Sequence, residues 1–173
     1  MKRDLLSVVG LLIVLSGGVS LADDGIVARI GDSGEFLELG HPGGGRAAAD
    51  LLPLHRAGAV RYFSAGIGLE ERNAQYPPFS LKFIFTAGGK PFLSGVAVTI
   101  QPVKGGAAIT IPREQVEGPW LFVDLGPGLY DVTATYHDSQ QVLKGIKVEA
   151  KKQKTVYLRW REDRGLAGSV PAE

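Results

Sequence analysis

Between residues 79 and 160 the chain falls into short apolar segments separated by turn-forming residues about every 8–12 positions, and this spacing leaves few folds open. Leu81, Phe83 and Phe85 alternate with Lys82, Ile84 and Thr86, a period of two that marks a strand with one strongly buried face. Val96, Val98 and Ile100 alternate with Ala97, Thr99 and Gln101 until Pro102 stops the strand. Ala107–Ile111 and Trp120–Leu125 follow, and Tyr130, Val132, Ala134 and Tyr136 alternate on the next strand. His137-Asp138-Ser139 is a hairpin tip. Val142–Val148 and Thr155–Trp160 read as a last pair, joined by the lysine-rich turn Ala150–Lys154. About seven strands without intervening helices predict an all-β, antiparallel Greek-key β-sandwich. Two sheets are needed to bury both sets of aromatics.

The segments before residue 79 are less regular. Residues 23–58 form a glycine-rich, irregular N-terminal region. Ile26–Ile30 and Phe36–Leu39 are candidate strands around the turn Gly31-Asp32-Ser33-Gly34. Arg46–Arg56 has helical composition, but Pro53 interrupts it, so a turn or two of helix is expected. The sandwich is expected over residues 59–160, beginning with a strand at Ala59–Phe63. Leu69–Gln75 reads as a helical turn ended by Tyr76-Pro77-Pro78. Residues 161–173 read as a polar tail.

Residues 1–22 read as a signal peptide. Lys2 and Arg3 form a positive start, Leu5–Leu15 is apolar except at Ser7 and Gly10, and Ser20-Leu21-Ala22 offers small residues at the cleavage positions. The apolar run is shorter than the ~20 residues a membrane-spanning helix needs. Export and cleavage after Ala22 are therefore expected, with a periplasmic or secreted product and no stable membrane insertion after cleavage. The 173-residue chain contains no cysteine, which excludes disulfides, thiolate metal sites and a cysteine nucleophile. Cleavage removes Lys2, Arg3 and Asp4, so 19 basic against 18 acidic residues become 17 against 17. A neutral domain has no global field to attract nucleic acid.

The most specific stretch is Gly118-Pro119-Trp120-Leu121-Phe122-Val123-Asp124-Leu125-Gly126-Pro127-Gly128-Leu129-Tyr130-Asp131-Val132-Thr133-Ala134. Its leucine–x–proline–glycine–x–tyrosine core resembles that of carboxypeptidase regulatory-like domains, which have a transthyretin-like β-sandwich. Residues 59–160 look like a group of small exported bacterial proteins built on that domain. Gly66-Ile67-Gly68-Leu69-Glu70-Glu71-Arg72 and the closing Arg159-Trp160 are part of the likeness. The resemblance implies a fold and no defined activity. It leaves residues 23–56 unaccounted for.

Physically, Gly126 and Gly128 suit a tight reversal with positive φ, and Pro127 fixes one dihedral. Tyr130 is placed for a tyrosine corner, with its hydroxyl bonded to nearby backbone. Trp120 is expected to fill the space between the sheets, and Trp120→Ala to damage the fold more than Trp160→Ala. The alternative makes Trp120, Tyr130, Tyr136, Tyr157 and Trp160 an exposed platform for a sugar or peptide.

Motifs for chemistry are sparse. His41, His55 and His137 share no metal-ligand spacing. Neither Gly-x-Ser-x-Gly nor a paired histidine accompanies Ser64 or Ser94. Adjacent Glu70 and Glu71 point apart on any regular element. The ring-opening hydrolase among transthyretin-like sandwiches carries a tyrosine–arginine–glycine–serine signature, which Leu158–Gly165 lacks. No catalytic, cofactor-binding or metal residue is therefore assigned. The expectation is a non-catalytic module, binding or structural, whose partner is an envelope protein, peptide or glycan. A hydrolase in the N-terminal loops and a carbohydrate-binding module are the alternatives. Residues 144–164 carry eight basic residues against three acidic, read either as edge-strand protection or as a patch for an anionic partner.

Overall fold

The computed structural model describes residues 25–41, 50–88 and 93–161. The signal peptide, Arg46–Ala49 and all of the C-terminal tail beyond Arg161 lie outside them. Twelve strands are arranged in three sheets among the described residues. The first sheet is β1 (Val27–Ile30), β2 (Phe36–Gly40) and β3 (Asp50–Pro53), in that order. The second is built from β7 (Ala97–Pro102), β8 (Ile109–Ile111), β10 (Gly128–Tyr136) and β11 (Ser139–Val148), ordered β11-β10-β7-β8. The third contains β4 (His55–Ala57), β5 (Val60–Ala65), β6 (Leu81–Ala87), β9 (Trp120–Asp124) and β12 (Lys154–Trp160), ordered β12-β6-β9-β5-β4. The helical turn is α1 (Leu69–Asn73).

The sandwich is formed by the four- and five-stranded sheets. Alternation along β6 sends Leu81, Phe83 and Phe85 into the core between them. Val98 and Ile100 of β7 and Val132 and Ala134 of β10 face them from the other sheet. These residues are all nearly inaccessible to solvent. Burial on this scale, worth roughly 1.5–3 kcal/mol per large apolar side chain, is the main force holding the sheets together. The chain passes between the sheets at β6–β7, β8–β9, β9–β10 and β11–β12.

The outer face of the five-stranded sheet is also covered. Phe63 and Ala65 of β5 and Phe122 of β9 pack with Phe79 beneath Ala28, Leu37, Leu39 and Leu52 of the three-stranded sheet. Phe63 stacks on Phe122 at 4.6 Å and meets Phe79 edge-on at 4.9 Å. Residues 23–58, expected to be irregular, thus contribute a third layer and the edge strand β4. The short helix expected within Arg46–Arg56 is replaced, from Asp50 onward, by β3 and β4. Leu52 and Leu54 are both buried against the outer face, two residues apart as a strand requires.

Three expectations need correction. First, β11 and β12 do not pair: β12 crosses to the other sheet and runs parallel to β6, with Val156 opposite Phe83 and Trp160 opposite Ala87. The lysine-rich turn is a crossover rather than a hairpin. Second, Gly126 and Gly128 both keep φ outside the left-handed region, because Leu125–Pro127 carries the chain from one sheet to the other. Gly128 instead makes room: a Cβ there would lie 3.3 Å from the Tyr130 ring. Tyr130 does form the corner, donating its hydroxyl to the Gly126 carbonyl at 2.8 Å. Third, the tryptophans exchange roles. Leu121 and Val123 of β9 face the sandwich core, so Trp120 points outward and is half-buried. Trp160 is 4% exposed within the core.

Trp120 is held on both sides. A Cβ on Gly66 would come within 3.0 Å of its indole, a contact that only glycine at φ +99° avoids. The Lys82 ammonium lies 3.5 Å from the indole ring centroid. Burial lowers the Lys82 pKa from its ordinary value, and the ring face offers the cation partial compensation.

Candidate functional site

The residues that sequence analysis weighed for chemistry are mostly engaged in holding the fold. Ser64 Oγ lies 2.8 Å from the Gly118 amide, from which it accepts a hydrogen bond, and it donates toward the Gly118 and Trp120 carbonyls. Glu71 accepts from the amides of Gly66 and Ile67 at 2.6 and 3.1 Å, and Arg72 donates to the Gly66 carbonyl at 2.7 Å. The Gly66–Arg72 segment is therefore a loop tied to its own helix, which also seats Gly66 against Trp120. Tyr76 donates its hydroxyl to the Glu71 carbonyl at 2.7 Å, closing the same loop. Burial first, and the nearby Glu71 charge second, push the Tyr76 pKa upward. Among the described residues no buried side-chain nitrogen or oxygen lacks a partner.

His55 sits on β4 with its ring 5.5 Å from that of Tyr62. Tyr62 in turn donates to the Gln115 side-chain oxygen at 2.5 Å. Burial lowers the His55 pKa below 6.5, with exposed Glu117 pulling weakly the other way. As pH falls, the unfolded chain takes this proton before the folded one does. Stability is thus fully present above about pH 6.5 and declines as pH drops through that value. Thermal melts at pH 8 and 5.5 should show a larger fall for the parent than for His55→Gln. Equal falls would place the pH dependence elsewhere. His41 lies exposed immediately after β2.

The structure gathers polar groups at one end of the sandwich. The β10–β11 hairpin tip, the C-terminal ends of β6 and β12, and the segment leading into β7 converge there. They surround an open cleft of about 810 Å³. Tyr136, His137, Asp138, Ser139 and Gln141 come from the hairpin, Arg159 and Arg161 from β12 and its continuation. A second hollow of about 440 Å³, lined by Ser94, Gly95, Arg113 and Glu114, shares Tyr136 and His137 with the first. His137 adopts φ +48°, in the left-handed region, and its ring meets that of Tyr136 at 4.3 Å. Trp160 closes the base, donating its indole N–H to the Ser139 carbonyl at 3.3 Å. The scaffold is rigid: Tyr136 pairs with Ser139 across the hairpin, and Gly88 donates to the Trp160 carbonyl at 3.2 Å.

Sequence analysis placed His137-Asp138 at a hairpin tip and assigned it no ligand. The cleft was invisible to it because Arg159 and Arg161 reach the hairpin only through the crossover of β12 into the other sheet. Of the five aromatics considered for a platform, Trp160 is core, Trp120, Tyr130 and Tyr136 are half-buried, and Tyr157 is 67% exposed. They do not form one surface. The basic run resolves onto two edges: Lys144 and Lys147 lie on β11, Lys154 and Arg159 on β12, each the outermost strand of its sheet. Lys147 and Lys152 both pair with Glu149, at 2.7 and 2.9 Å. These two contacts hold the Glu149 carboxyl near pKa 2. Such charges discourage edge-to-edge pairing with a second chain. No helix among the described residues is long and apolar enough to cross a membrane. Compared with known proteins, the chain matches no family model, no curated sequence and no solved structure.

Proposed function

We propose that this chain is a non-catalytic recognition module of the cell envelope, exported by its N-terminal signal, with the hairpin end of the sandwich as its binding face. One observation supports this reading above the others. Polar side chains from separate elements converge on an open cleft over a rigid β scaffold, the usual placement of binding residues. The serine and glutamate best placed to do chemistry, Ser64 and Glu71, bond instead to backbone. A hydrolase reading would need a histidine poised on a nucleophile, and His137 contacts an aromatic ring instead.

Two measurements test the reading. Mass spectrometry of the accumulated protein should find Asp23 at its N-terminus. Intact Met1 on soluble cytoplasmic protein would overturn export. Incubation with ester, amide and glycoside substrates should leave them unchanged. Turnover that disappears in His137→Ala or Ser94→Ala would overturn the non-catalytic assignment.

A further inference from the structure

The lining of the hairpin cleft discriminates between ligand chemistries. Its cationic part is Arg159 and Arg161, two guanidinium groups that form no ion pair among the described residues. By contrast, Arg113 in the neighbouring hollow is already matched by Glu114 at 3.0 Å. Guanidinium forks suit planar carboxylates better than any other common anion-binding side chain. Its second part consists of acceptors: the Asp138 carboxylate, the Ser139 hydroxyl and the Gln141 side-chain oxygen. Gln141 is oriented for this, because its nitrogen donates to the Arg159 carbonyl at 2.6 Å. Its third part is aromatic: Tyr136 is half-buried and braced by Trp160, ring to ring at 6.0 Å.

Carboxylate-binding cations, hydroxyl-binding acceptors and an aromatic wall fit a ligand with an acid group, several hydroxyls and an apolar C–H face. A polyglutamate peptide would satisfy the arginines, but it offers no hydroxyls to the acceptors Asp138, Ser139 and Gln141. We infer that the cleft binds a sugar acid, Arg159 and Arg161 taking its carboxylate and Asp138, Ser139 and Gln141 its hydroxyls. This inference rests on the recognition reading and names the ligand class for that same face. His137 bears on it independently. It occupies the first position of a two-residue hairpin loop with positive φ, where glycine is ordinarily favoured. A side chain kept there at a backbone cost extends the aromatic wall of Tyr136.

The test is calorimetric titration of the protein, purified as it accumulates in its host, with a galacturonic acid hexamer. The methyl-esterified hexamer and a hexaglutamate peptide are run beside it. Ligand recovered after titration is checked by chromatography. The acid hexamer should bind, and esterification should weaken binding on the order of tenfold or more, as loss of a charge-assisted hydrogen bond does. The double substitution Arg159→Gln, Arg161→Gln should weaken the acid hexamer similarly and leave the esterified one unchanged. Both arginines are exposed, so the fold should be retained, and a parallel melt confirms it. His137→Gly should also fold, since glycine suits that φ, and bind more weakly. Absence of binding, equal binding of hexaglutamate, or indifference to the arginine pair would overturn the sugar-acid inference while leaving a recognition module in place. Recovery of shortened hexamer would overturn the recognition reading itself.

Discussion

Trp160→Ala is expected to lower the melting temperature by roughly 10 °C or to prevent accumulation of the protein, whereas Trp120→Ala costs less. Trp160 is 4% exposed, meets Phe85 edge-on at 6.2 Å, and bonds through its indole N–H to the Ser139 carbonyl. Removing such a side chain costs about 3–5 kcal/mol. A single domain has only about 5–15 kcal/mol to lose. The cost combines a cavity beside Phe85 with a carbonyl left without its donor. Trp120 loses less because it is half-buried on the outer face, where Lys82 can settle over the space. Thermal melts of the two variants decide the order. A Trp160→Ala protein that melts with the parent while Trp120→Ala collapses would show that the outer cluster dominates stability.

Gly118→Ala is the second large effect, and Gly126→Ala is its control. A Cβ on Gly118 would stand 2.3 Å from the carbonyl oxygen of Ala65 and 2.7 Å from its carbon. Both are backbone atoms of β5, a central strand, so no side chain can rotate away. Relief requires β5 to move off β9 and breaks the Gly118–Ser64 hydrogen bond at 2.8 Å. Overpacking of this kind costs about 1–3 kcal/mol, more where backbone must shift. At Gly126 nothing lies within 4 Å and φ is ordinary, so alanine should fit without strain. Chemical denaturation should therefore show a clear drop in midpoint for Gly118→Ala and almost none for Gly126→Ala. Equal midpoints would mean that β5 and β9 yield more easily than their packing indicates.

These two glycines show what could be read in the sequence. Gly126-Pro127-Gly128 has the composition of a hairpin turn, and composition carries no record of which sheet the next strand joins. Gly118 carries no local signal, since its constraint comes from Ala65, far away in the chain. The alternation of Leu81, Phe83 and Phe85 identified β6 and its buried face correctly, because period two is a property of the strand alone. At β9 the same logic failed: Trp120, Leu121, Phe122 and Val123 are apolar on both faces, and only the covering sheet of β1–β3 explains why. The N-terminal strands were underrated for a related reason. Leu37, Leu39 and Leu52 bury fully only against Phe63 and Phe122, so their glycine-rich surroundings dominated the reading. The hairpin cleft was beyond sequence altogether, since its cations and its acceptors meet across two sheets.

The parallel partnership of β6 and β12 has a consequence for the order of assembly. Leu81 faces Lys154, so the two partners lie far apart in the chain. A ribosome has made most of the protein, including every other strand of that sheet, before the partner of β6 exists. Until then β6 presents a bare edge, and Phe83 and Phe85 lack the cover of Val156, Leu158 and Trp160. Loop closure over such a span is slow relative to local pairing, and the rewards come only at the end. The sandwich therefore locks last at its C-terminal strand. Once β6 has been made this edge stays open until β12 follows, and a truncation before Lys154 would leave it open permanently.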